Sequence, residues 1–238
     1  MVLVIGHRGA CAYEPENTLK SVEKAIELGV DAVEVDVRRT RDNKLAVVHD
    51  PTVDRTTNGR GYVRSYTLEE LKKLDAGKGE RIPSLDEVLE LISGRVLLLV
   101  EVKEEGTEGL VAEAISKHNA ADWVMVVSFH PTSLKAIRAT LPGIKTGLIF
   151  SRDPSASIAR AKTVGADAAL PRKSILSPKL VENIKKLGME AYTWVINSEQ
   201  ELEEALACGV DGVASDAPDV VINAVSYTHL TLPTTERV

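Results

Sequence analysis

Charged side chains recur at the carboxyl ends of apolar runs in this sequence. The run AVEVDV carries Glu34 and Asp36 between valines, and LLLVEVK ends with Glu101 and Lys103. Residues two apart in a strand point to the same face, so each pair shares a face. Like charges this close are costly to bury unless a cation or a proton neutralises them. The pattern predicts a site for an oxygen-seeking cation such as Mg²⁺ or Ca²⁺, with a structural layer of ion pairs as the alternative.

Two histidines occupy similar positions after apolar runs. His7 follows VLVIG, and His49 follows LAVV. A lone histidine there is usually a hydrogen-bonding residue, but two near an acidic cluster indicate a general acid and a general base. Arg8 and Lys103 would supply positive charge for an anionic group such as phosphate.

The elements that must position these residues alternate along the whole chain. Short β-branched runs alternate with helical patterns, which predicts βα units and a parallel sheet. The eight predicted strands cover residues 2–5, 32–37, 96–102, 124–127, 146–150, 166–170, 191–196 and 212–215. In a chain of 238 residues, eight such units close most simply into a (β/α)8 TIM barrel. A doubly wound open sheet is the alternative, but its glycine fingerprint is absent from the sequence.

Two segments interrupt the alternation. After the strand region of the second unit, an extra strand-like LAVVHD leads into a polar stretch at about residues 51–83, too long for an ordinary βα loop. Long insertions of this kind usually cover or complete a site. After residue 225 the composition turns to Thr, Pro and Leu. We therefore expect one catalytic barrel domain over residues 1–225 and a C-terminal tail, 226–238, outside the fold.

Composition excludes several classes of protein. A net charge of −6 disfavours a nucleic-acid partner, which usually requires a basic face. The chain has 44% hydrophobic and 27% charged residues, typical of a globular protein, and no apolar run predicts a membrane span. The sequence ahead of His7 has no room for a signal segment, so we expect a cytoplasmic protein. Its oligomeric state stays open.

Several motifs together resemble the glycerophosphodiester phosphodiesterase family. They are, in family order, GHRGACAYEPENTL, EVDVRRTRDNKLAVVHDPTVDRTTNGRG, EVK, SF, TWVIN and GVDGVASDAPD. HRG alone is a weak signal, but the ordered combination is highly specific, and it covers nearly all of residues 2–225. One departure is Val102, where members often have leucine; we expect this side chain to face outward, where the change should not matter.

The resemblance implies a (β/α)8 barrel with a small insertion that hydrolyses glycerophosphodiesters. The products would be sn-glycerol 3-phosphate and an alcohol such as choline or ethanolamine. It also implies one divalent metal ion, Mg²⁺ in the first place, with Ca²⁺ or Mn²⁺ as alternatives. The implied site residues are the metal ligands Glu34, Asp36 and Glu101, the acid/base pair His7 and His49, and the phosphate or substrate contacts Arg8, Lys103 and Trp194.

Three other functions remain open at this point. A lysophospholipase D-type hydrolase would use the same centre but needs an apolar groove, and the insertion offers mainly polar residues beside Tyr62, Val63 and Tyr66. A phosphatidylinositol-type phospholipase would share the barrel and two histidines, but the run from Glu-x-Asp to RTTNGxG fits it poorly. A non-catalytic, metal-dependent phosphodiester-binding barrel would be marked by loss of a histidine, and both are present.

Overall fold

Eight parallel strands close into a barrel in the computed structural model, which describes residues 2–230 and the side chains of residues 2–225. The first strand pairs with both the second and the last, which closes the sheet. A short additional strand lies antiparallel to the end of the second. In chain order the nine strands are β1 Leu3–Gly6, β2 Ala32–Arg39, β3 Leu45–Val47, β4 Leu97–Val102, β5 Val124–Ser128, β6 Lys145–Phe150, β7 Ala168–Pro171, β8 Glu190–Thr193 and β9 Gly212–Ser215. The predicted (β/α)8 barrel is confirmed.

Helices connect the strands, and several begin after a Ser or Thr whose side chain accepts a hydrogen bond from a backbone amide of the first turn. Ser84 and Glu87 form a reciprocal capping box, as the sequence Ser-Leu-Asp-Glu predicts. The helices are α1 Leu19–Leu28, α2 Leu68–Leu71, α3 Leu85–Ile92, α4 Glu108–Lys117, α5 Pro131–Thr140, α6 Pro154–Thr163, α7 Pro178–Lys186, α8 Glu199–Ala207 and α9 Pro218–Leu230. Within the described residues, none of them is long and apolar enough to cross a bilayer.

Alternation along the strands separates the core into an outer and an inner layer. The valines of β2 and β4, Val102 among them, are buried in the cluster that contains the apolar faces of α1, α3 and α4. Val102 therefore faces outward, as predicted. Glu34 and Glu101 point to the other side and line a cavity inside the barrel with Leu99. The alternation of side chains along a strand thus places the carboxylates inside the barrel and the valines outside it.

The insertion has a small apolar core of its own. Val53, Val63, Leu71 and Ile82 are buried together against the β3 region. A backbone bridge between Thr52 and Tyr62 and the capped helix α2 complete this segment. It packs on β3, next to the end of β2, and therefore lies beside the carboxyl face of the barrel.

The last helix extends past residue 225. α9 continues to Leu230, into the segment predicted as tail. Residues 231–238 lie outside the described residues. The boundary of the tail therefore stays a prediction.

A pair of leucines on β4 tests the outer layer. Leu98 is fully buried, whereas the side chain of Leu97 is 42% exposed. Leu98→Ala leaves a cavity and is expected to lower the free energy of unfolding by about 2–5 kcal/mol. The matched variant Leu97→Ala should cost less than about 1 kcal/mol. Urea unfolding measures both, and equal losses would contradict the layer assignment.

Candidate active site

The turn after β1 places His7 and Arg8 at the carboxyl end of the barrel. The turn requires Gly9: its φ is +81°, and a Cβ there would lie 2.4 Å from the carbonyl carbon of Ser21. The Arg8 carbonyl accepts hydrogen bonds from the Ser21 hydroxyl (2.8 Å) and from the backbone amide of Asn17 (3.1 Å). These contacts tie the turn to α1 and fix the direction of both side chains.

The register of β2 and β4 brings three carboxylates together. Asp36 and Glu101 are direct partners across the parallel pair, and Glu34 lies two residues before Asp36. One oxygen from each of the three carboxylates lies within 4.8 Å of the others. All three are buried: the exposed fractions are 7% for Glu34, 1% for Asp36 and 7% for Glu101. The cluster predicted from the spacing therefore exists.

Two cations lie against the cluster. Lys103 Nζ is 2.8 Å from Asp36 Oδ1 and 2.7 Å from Glu101 Oε1. The Arg8 amide donates to Glu34 Oε2 at 3.0 Å, and Arg8 Nε lies 3.3 Å from Asp36 Oδ2. Part of the acidic charge is thus held in ion pairs, as the alternative interpretation of the sequence expected. Three carboxylates nevertheless face two cationic side chains.

Glu34 is the carboxyl of the cluster that forms no ion pair within residues 2–225. Burial, followed by the charges of Asp36 and Glu101, raises the pKa of Glu34. Burial would also raise the pKa of Asp36, but Lys103 and Arg8 outweigh it and lower that pKa to about 2. Glu34 Oε1 is buried and has no hydrogen-bond partner among the described residues. A buried acceptor without a donor, beside two more carboxylates, suits a bound cation.

Each histidine is held through Nδ1 by a carboxylate. His7 Nδ1 lies 2.6 Å from Asp216 Oδ1, and His49 Nδ1 lies 2.7 Å from Asp50 Oδ1. Because an ionised carboxylate only accepts, Nδ1 is the protonated nitrogen in each ring. Within residues 2–225 no group hydrogen bonds either Nε2, and both rings line the cavity. Burial lowers the pKa of His49, which favours its neutral form.

Asp216 is held by neutral partners as well as by His7. Asn197 Nδ2 donates to its second oxygen at 2.8 Å, and the Cys11 thiol donates to the first at 3.0 Å. Cys11, His7 and Asp216 are also close enough to hold a metal. However, burial and the hydrogen bond to Asp216 raise the pKa of Cys11, and a protonated thiol is a poor ligand.

Arg55 of the insertion connects the two halves of the site. Its guanidinium donates to both Glu16 oxygens, at 2.7 and 2.8 Å, and to Asp50 at 2.7 Å. Glu16 also accepts from Arg8 Nη1 at 2.8 Å. A chain of ion pairs thus runs from Arg8 to Asp50, the partner of His49. The hydrogen bonds from Arg55, the largest contribution, lower the pKa of Asp50.

Sequence reasoning did not single out several of these supporting residues. They are Glu16, Asn17, Asp50, Arg55, Asn197 and Asp216. All of them lie inside the motifs PENT, HDPTVDR, TWVIN and SDAPD. A polar or charged residue type within one of these motifs is therefore the sequence signal that could have identified them. What the sequence does not show is which of them pair, because Asp216 and His7 are separated by 209 positions.

A cavity of about 130 Å³ collects the predicted residues. Seven of the eight line it, and Asp36 alone is not among the lining residues. Apolar residues of the inner layer, such as Leu99 and Leu170, form much of the remaining wall. Trp194 lies at this wall, where its indole nitrogen donates to the carbonyl of Leu170 at 3.0 Å.

Sequence comparison matches this chain to a known family of proteins. The model of the glycerophosphoryl diester phosphodiesterase family matches residues 7–220. The glycerophosphodiester phosphodiesterase of Caldanaerobacter subterraneus subsp. tengcongensis is 39% identical over 94% of this chain and 97% of that protein. The enzyme of the same name from Bacillus subtilis is 32% identical over 92% of this chain and 85% of its own length.

Solved structures show the same fold. A structure of an Oleispira antarctica phosphodiesterase in complex with the product sn-glycerol 3-phosphate has a TM-score of 0.87 at 32% identity and covers 94% of this chain and 96% of that one. A glycerophosphodiester phosphodiesterase from Thermotoga maritima has a TM-score of 0.82 at 26% identity, with 94% and 98% covered.

These matches, together with the barrel and the polar site at its carboxyl end, define a phosphoric diester hydrolase. The chain belongs to the glycerophosphoryl diester phosphodiesterase family and is an enzyme with glycerophosphodiester phosphodiesterase activity.

The acidic cluster should make stability depend on pH when a chelator is present. Burial, the largest influence, raises the pKa of Glu101 from 4.5 to about 7. Between these values the folded state binds more protons than the unfolded state, so stability falls as pH rises. Urea unfolding in EDTA at pH 5 and 7.5 should show a loss in the wild type that exceeds the loss in Glu101→Gln by on the order of 2 kcal/mol.

The control for this comparison is Glu113→Gln, an exposed change on α4 that should follow the wild type. Using the difference between proteins removes the contributions of titrating groups that do not interact with Glu101. An unchanged slope in Glu101→Gln would contradict the assigned origin of the pH dependence.

Proposed function

We propose that this enzyme hydrolyses glycerophosphodiesters such as glycerophosphocholine and glycerophosphoethanolamine to sn-glycerol 3-phosphate and the free alcohol. The reaction would depend on one divalent metal ion and on two histidines. The observation that carries this proposal is the convergence of His7, His49, Glu34 and Glu101 on one cavity at the carboxyl end of the barrel.

Glu34, Asp36 and Glu101 would hold the metal ion. Their all-oxygen donor set and the unpartnered Glu34 Oε1 suit Mg²⁺ first, with Ca²⁺ or Mn²⁺ as alternatives. When bound, the ion would neutralise charge on the phosphodiester and help to orient it. Lys103 and Arg8 then have less carboxylate charge to balance.

Arg8 and Lys103 would bind the phosphoryl oxygens. Both line the cavity next to the acidic cluster, and both are mostly buried, so their charge acts in a low-dielectric setting. Negative charge spreads over the phosphoryl oxygens as the attacking oxygen approaches phosphorus. Cations already in position stabilise that charge without reorganisation.

The two histidines would move the protons at Nε2. One accepts a proton from the attacking group, either water or the glycerol 2-hydroxyl, as its oxygen bonds to phosphorus, and the other donates a proton to the alcohol oxygen as its bond to phosphorus breaks. Attack by the 2-hydroxyl forms a cyclic phosphate, which water then opens to sn-glycerol 3-phosphate with the roles of the two rings exchanged. Asp216 and Asp50 keep the Nδ1 proton on each ring, so that Nε2 is the nitrogen available for exchange. The protons balance over the step because one ring gains a proton while the other loses one.

The bound product in the Oleispira antarctica structure supports the choice of substrate. That protein holds sn-glycerol 3-phosphate and shares 32% of its residues with this chain over nearly the full length of both. Trp194, on the cavity wall, would contact the glycerol or alcohol part of the substrate.

Removing either histidine should nearly abolish turnover. Release of glycerol 3-phosphate from glycerophosphocholine, followed by a coupled assay with Mg²⁺, should fall by about 10²- to 10⁴-fold in His7→Ala and in His49→Ala. His118→Gln is the matched control, since His118 pairs with Asp86 and does not line the cavity.

The same assay separates the alternatives. Release from lysophosphatidylcholine but not from small diesters would favour the lysophospholipase D-type reaction. A folded wild type that releases product from neither kind of substrate, with any of the three metals, would leave a phosphodiester-binding barrel.

Metal binding should stabilise the fold through the same three carboxylates. Addition of Mg²⁺ to EDTA-treated protein should raise the melting temperature, and Glu34→Gln or Asp36→Asn should remove that rise, because each deletes a charged ligand. Glu105→Gln, an exposed change just beyond β4, is the matched control. A rise of equal size in all four proteins would place the metal elsewhere.

A further inference from the structure

Two aromatic rings at the cavity offer a surface for the alcohol part of the substrate. Phe129 and Trp194 meet edge to face, with ring centroids 5.9 Å apart, and both line the cavity. Phe129 is 42% exposed. Aromatic faces attract ammonium groups, so a pair of this kind could bind choline. The charges around the rings decide whether it does.

An arginine already occupies the cation position over Trp194. The guanidinium carbon of Arg172 lies 6.0 Å from the centroid of the Trp194 ring. The backbone places the two residues side by side: Arg172 follows β7, forms a parallel bridge with Trp194, and donates its backbone amide to the Phe150 carbonyl at 2.9 Å. A ligand cation at this ring would therefore meet a positive charge that is part of the fold.

Among the described residues that line the cavity, no carboxylate belongs to the aromatic side to offset this charge. Among the described lining residues the carboxylates are Glu34 and Glu101, which belong to the acidic cluster. Within residues 2–225 Arg172 forms no ion pair, whereas its neighbour Lys173 pairs with Glu201. Arg172 does not itself line the cavity, but its guanidinium lies against the Trp194 ring that does, so its charge acts at that wall, and its donors suit hydroxyl groups.

We infer that Arg172 determines which alcohol part of the substrate is preferred, an inference that rests on the proposed function. It favours glycerophosphodiesters whose alcohol is a polyol and disfavours those that carry an ammonium group. Phe129 and Trp194 supply the apolar contact, and Arg172 supplies hydrogen-bond donors and repels a ligand cation. Glycerophosphocholine is then a substrate, but a poorer one than glycerophosphoglycerol.

The test compares kcat/KM for glycerophosphoglycerol and glycerophosphocholine, measured at low salt with Mg²⁺. The wild type should prefer glycerophosphoglycerol by at least about fivefold, as expected for a nearby uncompensated charge. In Arg172→Gln this ratio should fall toward one, and in Arg172→Lys most of it should persist because the charge remains. A general effect on folding changes both substrates equally and leaves the ratio unmoved.

Arg160→Gln on the exposed surface of α6 is the matched control, since it removes the same charge without a contact to Trp194. A wild type that prefers glycerophosphocholine, or a ratio that Arg172→Gln does not alter, overturns the assignment of Arg172 while the proposed function stands. If a folded wild type hydrolyses neither diester, the proposed function fails and this inference fails with it.

Discussion

Repulsion among three buried carboxylates is the constraint on which the site depends. The pairing of β2 with β4 forces Asp36 beside Glu101, and the two-residue repeat of β2 adds Glu34. Such a cluster is costly to keep ionised in a barrel interior without positive charge beside it. Much of the carboxyl face can be understood as the supply of that charge: Lys103 and Arg8 in the chain itself, and a metal ion under the proposed function.

The need for positive charge at this point also explains the first turn and part of the insertion. Arg8 reaches Asp36 because Gly9 permits a turn that a side chain would block against Ser21. Arg55 extends the network outward by holding Glu16 and Asp50. Without such a partner, Glu16 would add a fourth carboxylate to an already acidic region. The insertion thus stabilises the charge distribution of the site as well as lying beside its mouth.

Charge is arranged differently around the two histidines. Asp50, the partner of His49, is neutralised by Arg55, whereas Asp216, the partner of His7, is held by the amide of Asn197 and the thiol of Cys11. Among the side chains of residues 2–225, no lysine or arginine pairs with the carboxylate that faces His7, whereas the one that faces His49 is paired with Arg55. Two histidines thus lie in different electrostatic environments across one cavity, which suits the opposite roles that the proposed mechanism gives them.

The sequence by itself determined the local features: eight strands in the right order, carboxylates on one face of β2 and β4, Val102 on the other, and an insertion after the second strand. These depend on the two-residue repeat of a strand and on capping residues, which act over a few positions. Only the tertiary structure decided that Asp216 holds His7, that Arg55 holds Glu16, and that Arg172 lies over Trp194. Such contacts join residues that are distant in the sequence. Closure of the barrel pairs β1 with β9 and brings Asp216 beside His7, the insertion brings Arg55 to Glu16, and the bridge after β7 and β8 brings Arg172 to Trp194.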